Sequence, residues 1–273
     1  MSFIELDHVS YTYPGGFLAI DDVCLSIEQG ETVAIIGQNG AGKTTTAKLC
    51  NGLLRCTGGR ILVDGKDSST RTTAEISKTV GYVFQNPDDQ IFHSTVVGEV
   101  EFGPKTLGFS PERTKELVDY ALEVTALTPF RDENPYNLPL SIRKFITIAA
   151  IISMDTQVMI FDEPTAGQDL VGNQRLGHIL GELSGKGKTV VTISHDMEFV
   201  ANYFKRVIVM ANKKKVTEGT PDQIFWNFPA LEEARLMQPY VSRLCRSLGL
   251  DTQLTTLDAA VDCIAGQYEQ RNP

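Results

Sequence analysis

Uninterrupted apolar runs of strand length recur along the chain. They read "FIEL" (Phe3–Leu6), "TVAIIG" (Thr32–Gly37), "TVGYVF" (Thr79–Phe84), "VMIF" (Val158–Phe161), "TVVTIS" (Thr189–Ser194) and "RVIVM" (Arg206–Met210). Runs this short without polar alternation predict strands covered on both faces. Between them lie stretches with helical spacing. The clearest is "SPERTKELVDYALEVTAL", where Ser110 reads as the cap, Pro111 sits just inside the helix and an apolar stripe follows. Strand and helix therefore alternate, which predicts an α/β fold with a largely parallel sheet and crossover helices. "TGGRILVDGK" (Thr57–Lys66) adds a hairpin-like antiparallel element near the front. Beyond about residue 220 the pattern becomes helical with no further strand, so a soft boundary separates 1–220 from 221–273.

Composition narrows the class only modestly. With 273 residues, 42% hydrophobic and 22% charged, the chain can bury one large core or two smaller ones. The net charge of −9, from 34 acidic against 25 basic residues, gives no broad footprint for nucleic acid. Cysteines 24, 50, 56, 245 and 263 form no C-x-x-C pair and no metal-type cluster with the four histidines, which suggests reduced thiols in the cytosol. The N-terminus lacks the pattern of a secretory signal, and no apolar run reaches the roughly 18 residues of a membrane span. Work at a membrane would have to pass through a partner.

Chemistry enters with "GQNGAGKTT", Gly37 to Thr45, which leaves an apolar strand and enters a helix. It fits G-x-x-x-x-G-K-[ST] in its required setting. Successive N–H groups of Gly37, Gln38, Asn39, Gly40, Ala41, Gly42, Lys43, Thr44 and Thr45 can turn toward a phosphate. Lys43 can reach the β- and γ-phosphates, and Thr44 can hold Mg²⁺. In "VMIFDEPTAGQD" an acidic pair emerges at the end of a buried strand. Asp162 can hold Mg²⁺ through water and Glu163 can act as general base; adjacent strand side chains point opposite ways, so the two carboxylates divide the work.

These ordered motifs resemble an ATP-binding cassette (ABC) nucleotide-binding subunit over about residues 3 to 220. The resemblance implies a P-loop NTPase with a RecA-like core, an antiparallel β subdomain, a helical subdomain at about 86–155 and a small C-terminal helical extension. It places Tyr13 against adenine, Gln85 of "GYVFQNPDDQIF" near Mg²⁺ and the attacking water, His195 of "TVVTISHD" at the γ-phosphate, and Asp169 of "AGQD" in the D-loop at a dimer interface. A narrower similarity, over Phe84 to Ser110 and in the helical tail, is to ATPases of energy-coupling factor (ECF) transporters, which import vitamins or transition-metal ions. It implies docking of a transmembrane scaffold near Asp88, Asp89 and Gln90, a separate substrate-binding membrane subunit, a second ATPase subunit, and a place on the cytoplasmic face of the membrane. The 221–273 extension then becomes a dimerisation element.

The chain departs from the family at one motif. The ungapped match of "FITIAAIISMDTQVMIFDEP" sets L-S-G-G-Q against Leu138, Pro139, Leu140, Ser141 and Ile142, of which only Leu138 agrees. Pro139 has neither hydroxyl nor N–H, and Leu140 puts a side chain where a phosphate needs close backbone approach. Pro139 suits the first turn of a helix, Ser141 can offer one hydrogen bond, and Arg143 and Lys144 are expected on the solvated or partner-facing side. An asymmetric ATPase heterodimer follows as the expectation. A non-transport ABC ATPase and a mainly regulatory nucleotide-binding subunit are the alternatives; the first usually carries a coiled-coil insertion, zinc cysteines or a second cassette, and the intact phosphate loop, Glu163 and His195 speak against an inert second.

Overall fold

The computed structural model describes residues 2–250 and 253–271, with side chains through residue 266. Two sheets carry the molecule. The first is four-stranded, in the order β2-β1-β4-β5, from β1 (Ser2–Thr12), β2 (Leu18–Glu28), β4 (Gly58–Val63) and β5 (Lys66–Asp67). All its pairings are antiparallel, and the β4–β5 pair is the hairpin expected from "TGGRILVDGK". The second is six-stranded, in the order β10-β9-β3-β8-β7-β6, from β3 (Thr32–Ile36), β6 (Val80–Val83), β7 (Val158–Asp162), β8 (Thr189–Ile193), β9 (Arg206–Ala211) and β10 (Lys214–Gly219). Its pairings are parallel except for the antiparallel edge strand β10.

Every residue of β3, β6, β7 and β8 is buried, as their unbroken apolar runs required. Two strands escaped the pattern. In β2, "LAIDDVCLSIE" breaks its alternation at a bulge where Asp22 takes a left-handed backbone, φ 53°. In β10, an edge strand that is mostly half-buried, the residues are largely polar.

Between β6 and β7 stand helices Val96–Thr106, Pro111–Val124 and Leu140–Ser153, which pack on one another. Ser110 caps the middle one by accepting from Arg113 N–H, with Pro111 in its first turn, as its sequence indicated. The core divides over the two faces of the large sheet. One apolar cluster joins the helical layer to Ile36, Met159, Phe161, Val190 and Val209; the other joins the antiparallel sheet to Ile35, Ile160, Val191 and Ile208. Alternate residues of the same strands face opposite clusters, which is the two-residue period of a strand at work.

Helices follow β10, beginning with Pro221–Phe225, whose Ile224 and Phe225 sit in the first cluster. The proposed 220 boundary thus marks a change of element type while the core continues across it. The expected helical extension over 221–273 lies partly outside the described residues. Among the described residues no helix is long and apolar enough to cross a membrane.

Candidate functional site

The phosphate-loop motif leaves the fully buried β3 at Gly37 and enters helix Lys43–Cys50. Two glycines are dictated by close approach. Gly37 has φ 153°, and a Cβ there would lie 2.1 Å from Met210 O; Gly42 has φ 101°, and its Cβ would lie 2.5 Å from Ile20 Cγ2 and 2.8 Å from Ala19 O. The loop is therefore clamped from behind while Asn39 and Gly40 stay open to solvent. Lys43 is buried, and its Nζ donates to Gly37 O (2.7 Å) and Gln38 O (3.0 Å). Burial lowers its pKa, against the opposing pull of Glu163 and Asp162. Tyr13 is half-buried beside the loop, its hydroxyl 3.2 Å from Thr45 Oγ1 and its ring edge-on to Tyr11 at 4.9 Å.

Asp162 ends β7 and is 2% exposed. Thr44 Oγ1 donates to its Oδ1 (3.2 Å), and the hydroxyl of buried Tyr82 donates to its Oδ2 (2.8 Å). Burial raises the carboxyl's pKa while those two donors pull it down; burial beside that carboxylate pushes the Tyr82 phenol far up. The donor set of Thr44, Asp162 and Gln85 is all hard oxygen, which suits Mg²⁺.

Glu163, 5% exposed, leaves the strand with φ 51°, a left-handed backbone unusual for a residue with a Cβ. Its N–H donates to Ile193 O (3.0 Å) and its Oε2 accepts from His195 N–H (3.2 Å). Oε1 lies 2.9 Å from His195 Nε2, yet no N–H is aligned on it, so this buried oxygen lacks a true donor. A carboxylate oxygen without a hydrogen bond can accept the proton of a water. Asn39, Gly40, Gly42, Lys43, Thr44, Thr45, Gln85, Glu163 and His195 line one cleft. The parallel sheet brings them together, because β3, β7 and β8 present their C-terminal ends side by side.

Elsewhere the expectations need correcting. Pro139 is the N-cap of helix Leu140–Ser153, with φ −61° and ψ 155° and no side-chain cap; the first turn begins at Leu140. Of the two cations after it, Arg143 is half-buried and Lys144 is buried, against the expectation of a solvated or partner-facing lysine. Arg143 pairs with Asp88 at 3.1 Å, and Lys144, 6% exposed, donates to Glu163 O at 2.8 Å. Leu138, Ser141 and Ile142 are half-buried, while Pro139 and Leu140 are exposed. Gln90 is committed internally, accepting from Phe84 N–H (3.1 Å) and donating to Thr147 O (3.4 Å), which leaves Asp88 and Asp89 as the exposed pair. Asp169 is exposed and caps helix Leu170–Gly185 through Gly172 N–H (2.8 Å); Gln168 beside it donates to Ser141 O (3.0 Å).

None of the five cysteines is in a disulfide. A bulge in β1 does bring Asp7 and His8 to Cys24, with donor atoms within 4.8 Å of one another, so a metal-type cluster absent from the sequence exists in space. Its groups already have protein partners: His8 holds Asp22 at 2.7 Å and Asp7 holds Arg60 at 3.0 Å.

Tyr82, Lys144 and Gln168 were missed as site residues. A tyrosine inside an otherwise apolar run was the available signal for the first; Lys144, next to Arg143 at the edge of an apolar run, and Gln168 had none.

Residues 20–166 match the family model described as ABC transporter, and the chain belongs to that family as one of its ATPase cassettes. Among curated proteins it is 37% identical over 250 residues to the energy-coupling factor transporter ATP-binding protein EcfA of Methanocaldococcus jannaschii, covering 91% of this chain and 90% of that one. It is 41% identical to a putative ABC transporter ATP-binding protein of Methanosarcina acetivorans over 91% of this chain, but spans only 41% of that relative's length. Among solved structures it superposes on cbiO1 of Clostridium perfringens, part of the ABC transporter complex cbiONQ, with a TM-score of 0.77 and 29% identity over 91% of this chain and 99% of that one.

Proposed function

We propose that the chain binds Mg²⁺ and ATP and hydrolyses ATP to drive an ECF-type importer of a vitamin or transition-metal ion, as one half of an asymmetric ATPase pair at the cytoplasmic face of a membrane. The observation that carries the hydrolytic part is Glu163, buried, with one carboxylate oxygen that makes no hydrogen bond, in the cleft it lines together with the phosphate loop.

The roles follow from the residues. The loop amides from Gly37 to Thr45 hold phosphate, and the Lys43 ammonium swings from its two carbonyl partners to the phosphate oxygens. Thr44, Asp162 and Gln85 would hold Mg²⁺, which would supply positive charge against the terminal phosphates. Glu163 accepts a proton from the attacking water while His195 stands at the γ-phosphate, and Tyr13 offers a ring face to the base. Asp88 and Asp89 meet the transmembrane scaffold, which carries a separate substrate-binding subunit.

Asymmetry rests on Leu138, Pro139, Leu140, Ser141 and Ile142. ABC subunits pair head to tail, so this segment would face the partner's ATP. Pro139 brings no donor there and Leu140 covers the backbone. Loss of one such donor costs about 10²- to 10³-fold in rate in other enzymes. The partner's own signature would complete the site built on Lys43, Glu163 and His195.

The test is steady-state ATPase activity of the chain alone, of the pair it co-purifies with, and of pairs carrying a general-base Glu→Gln change in one subunit at a time. Glu163→Gln is expected to abolish most turnover and the partner's change to matter less. Strong hydrolysis by the chain alone, or equal effects of the two changes, would refute the asymmetry.

A further inference from the structure

Helix Leu140–Ser153 buries ten consecutive residues, Lys144 through Ser153, and Lys144 is the one charged side chain among them. A buried ammonium is costly unless its donors are used. Here Nζ reaches out of the helix to the main-chain carbonyl of Glu163 at 2.8 Å, an oxygen that also accepts from Ala166 N–H at 3.3 Å. Burial lowers the Lys144 pKa, while Glu163 and Asp162 support its charge. Glu163 needs such support. It stands just past the end of β7 in a left-handed backbone, and its carboxylate meets only His195, through the main-chain N–H at 3.2 Å and the ring Nε2 at 2.9 Å. Its carbonyl is therefore a handle: whatever holds that oxygen sets the rotation of the peptide and hence the direction of the side chain.

We propose that Lys144 is a positioning residue, fixing through its hydrogen bond to the Glu163 carbonyl the left-handed backbone that aims the Glu163 carboxylate into the phosphate cleft. This rests on the reading of Glu163 as the base. It adds a link within the chain, because the helix that carries Lys144 begins at the Leu138–Ile142 segment. The same segment is tied to the D-loop by Gln168 Nε2 and Ser141 O at 3.0 Å. A movement of the segment that faces the partner's nucleotide is thus transmitted, over one helical turn, to this chain's own Glu163.

The test replaces Lys144 by Met, which keeps the stem and removes the donor, and by Gln and Arg, which keep a donor. In the complex that co-purifies with the full chain, Lys144→Met is expected to lower kcat about 10- to 100-fold, the worth of a hydrogen bond to a charged group, with unchanged affinity for a fluorescent ATP analogue. In the nucleotide-free full chain, amide exchange over residues 162–166 speeds up while β3 and β8 stay protected. Gln or Arg recovers part of both effects. Wild-type kcat in Lys144→Met, parallel loss of affinity and turnover, exchange raised evenly throughout, or failure of all three variants to fold would each overturn the proposal, the last two by assigning Lys144 to the core alone. Glu163→Gln is run beside them. If it leaves turnover intact, the reading of Glu163 fails; if it abolishes turnover while Lys144→Met does not, only the role of Lys144 falls.

Discussion

Replacing Tyr82 by Phe removes one oxygen from the site and little else. The ring keeps its edge contact with Phe84, at 5.1 Å between centroids, and its place in the second apolar cluster. The hydroxyl it loses donates at 2.8 Å to the Oδ2 of Asp162, a carboxylate 2% exposed. A hydrogen bond to a charged group contributes about 1.5–3 kcal/mol, and the buried acceptor left behind cannot turn to water. At about 2–4 °C per kcal/mol for a chain of this size, a loss near 2 kcal/mol lowers Tm by about 4–8 °C.

The pH dependence has a definite sign. Burial holds the Asp162 carboxyl above its ordinary value, and the Tyr82 and Thr44 donors oppose that shift. Removing Tyr82 therefore raises the pKa further. For a carboxyl whose folded value is raised, stability is fullest below the unfolded pKa and is lost as pH rises through the folded one. The variant loses more than the wild type over that rise, so the Tm gap widens toward neutral pH and closes on acidification. Thermal unfolding of both proteins, without nucleotide, from mildly acidic to mildly alkaline pH gives the answer. A Tm within experimental error of wild type at neutral pH, or a gap that grows on acidification, would refute the reasoning.

Two further predictions concern binding and docking. Lys43→Ala takes the ammonium from the phosphate cradle and is expected to weaken ATP binding, whereas Glu163→Gln leaves binding intact and traps an ATP-bound dimer; equal loss of affinity in equilibrium binding would count against both roles. Charge reversal at Asp88 and Asp89 is expected to release the membrane partner while nucleotide binding persists, and because Asp88 also pairs with Arg143, Arg143→Ala is the control that breaks this pair alone. Co-purification matching wild type in the reversed variants would remove the docking assignment.

Much of this protein was legible in one dimension. The buried strands announce themselves because a strand covered on both faces needs apolar residues at every position, and β3, β6, β7 and β8 are built that way. The phosphate loop and the acidic pair were legible for a different reason. A backbone cradle needs glycine at Gly37 and Gly42, and an acidic pair at a strand end, common by itself, takes on a chemical reading once it is paired with that loop. The departure at Pro139 and Leu140 also needed only the sequence, since a missing hydroxyl and an added side chain are covalent facts.

Tertiary structure decided what depends on chain segments far apart meeting. Tyr82 reaches Asp162 across 80 positions because β6 and β7 are neighbours in the sheet, and nothing local distinguishes its hydroxyl from that of any core tyrosine. Lys144 read as a solvated or partner-facing cation because charged residues are rarely buried without a partner, and its partner is a main-chain oxygen 19 positions away that no side-chain pattern can display. The bulges that join His8 to Cys24, and that hide β2 from a search for alternation, arise from strand pairing. Residue types carry the chemistry of each group; only packing decides which groups stand within hydrogen-bond reach, because that reach is about 3 Å while the chain between them runs for tens of residues.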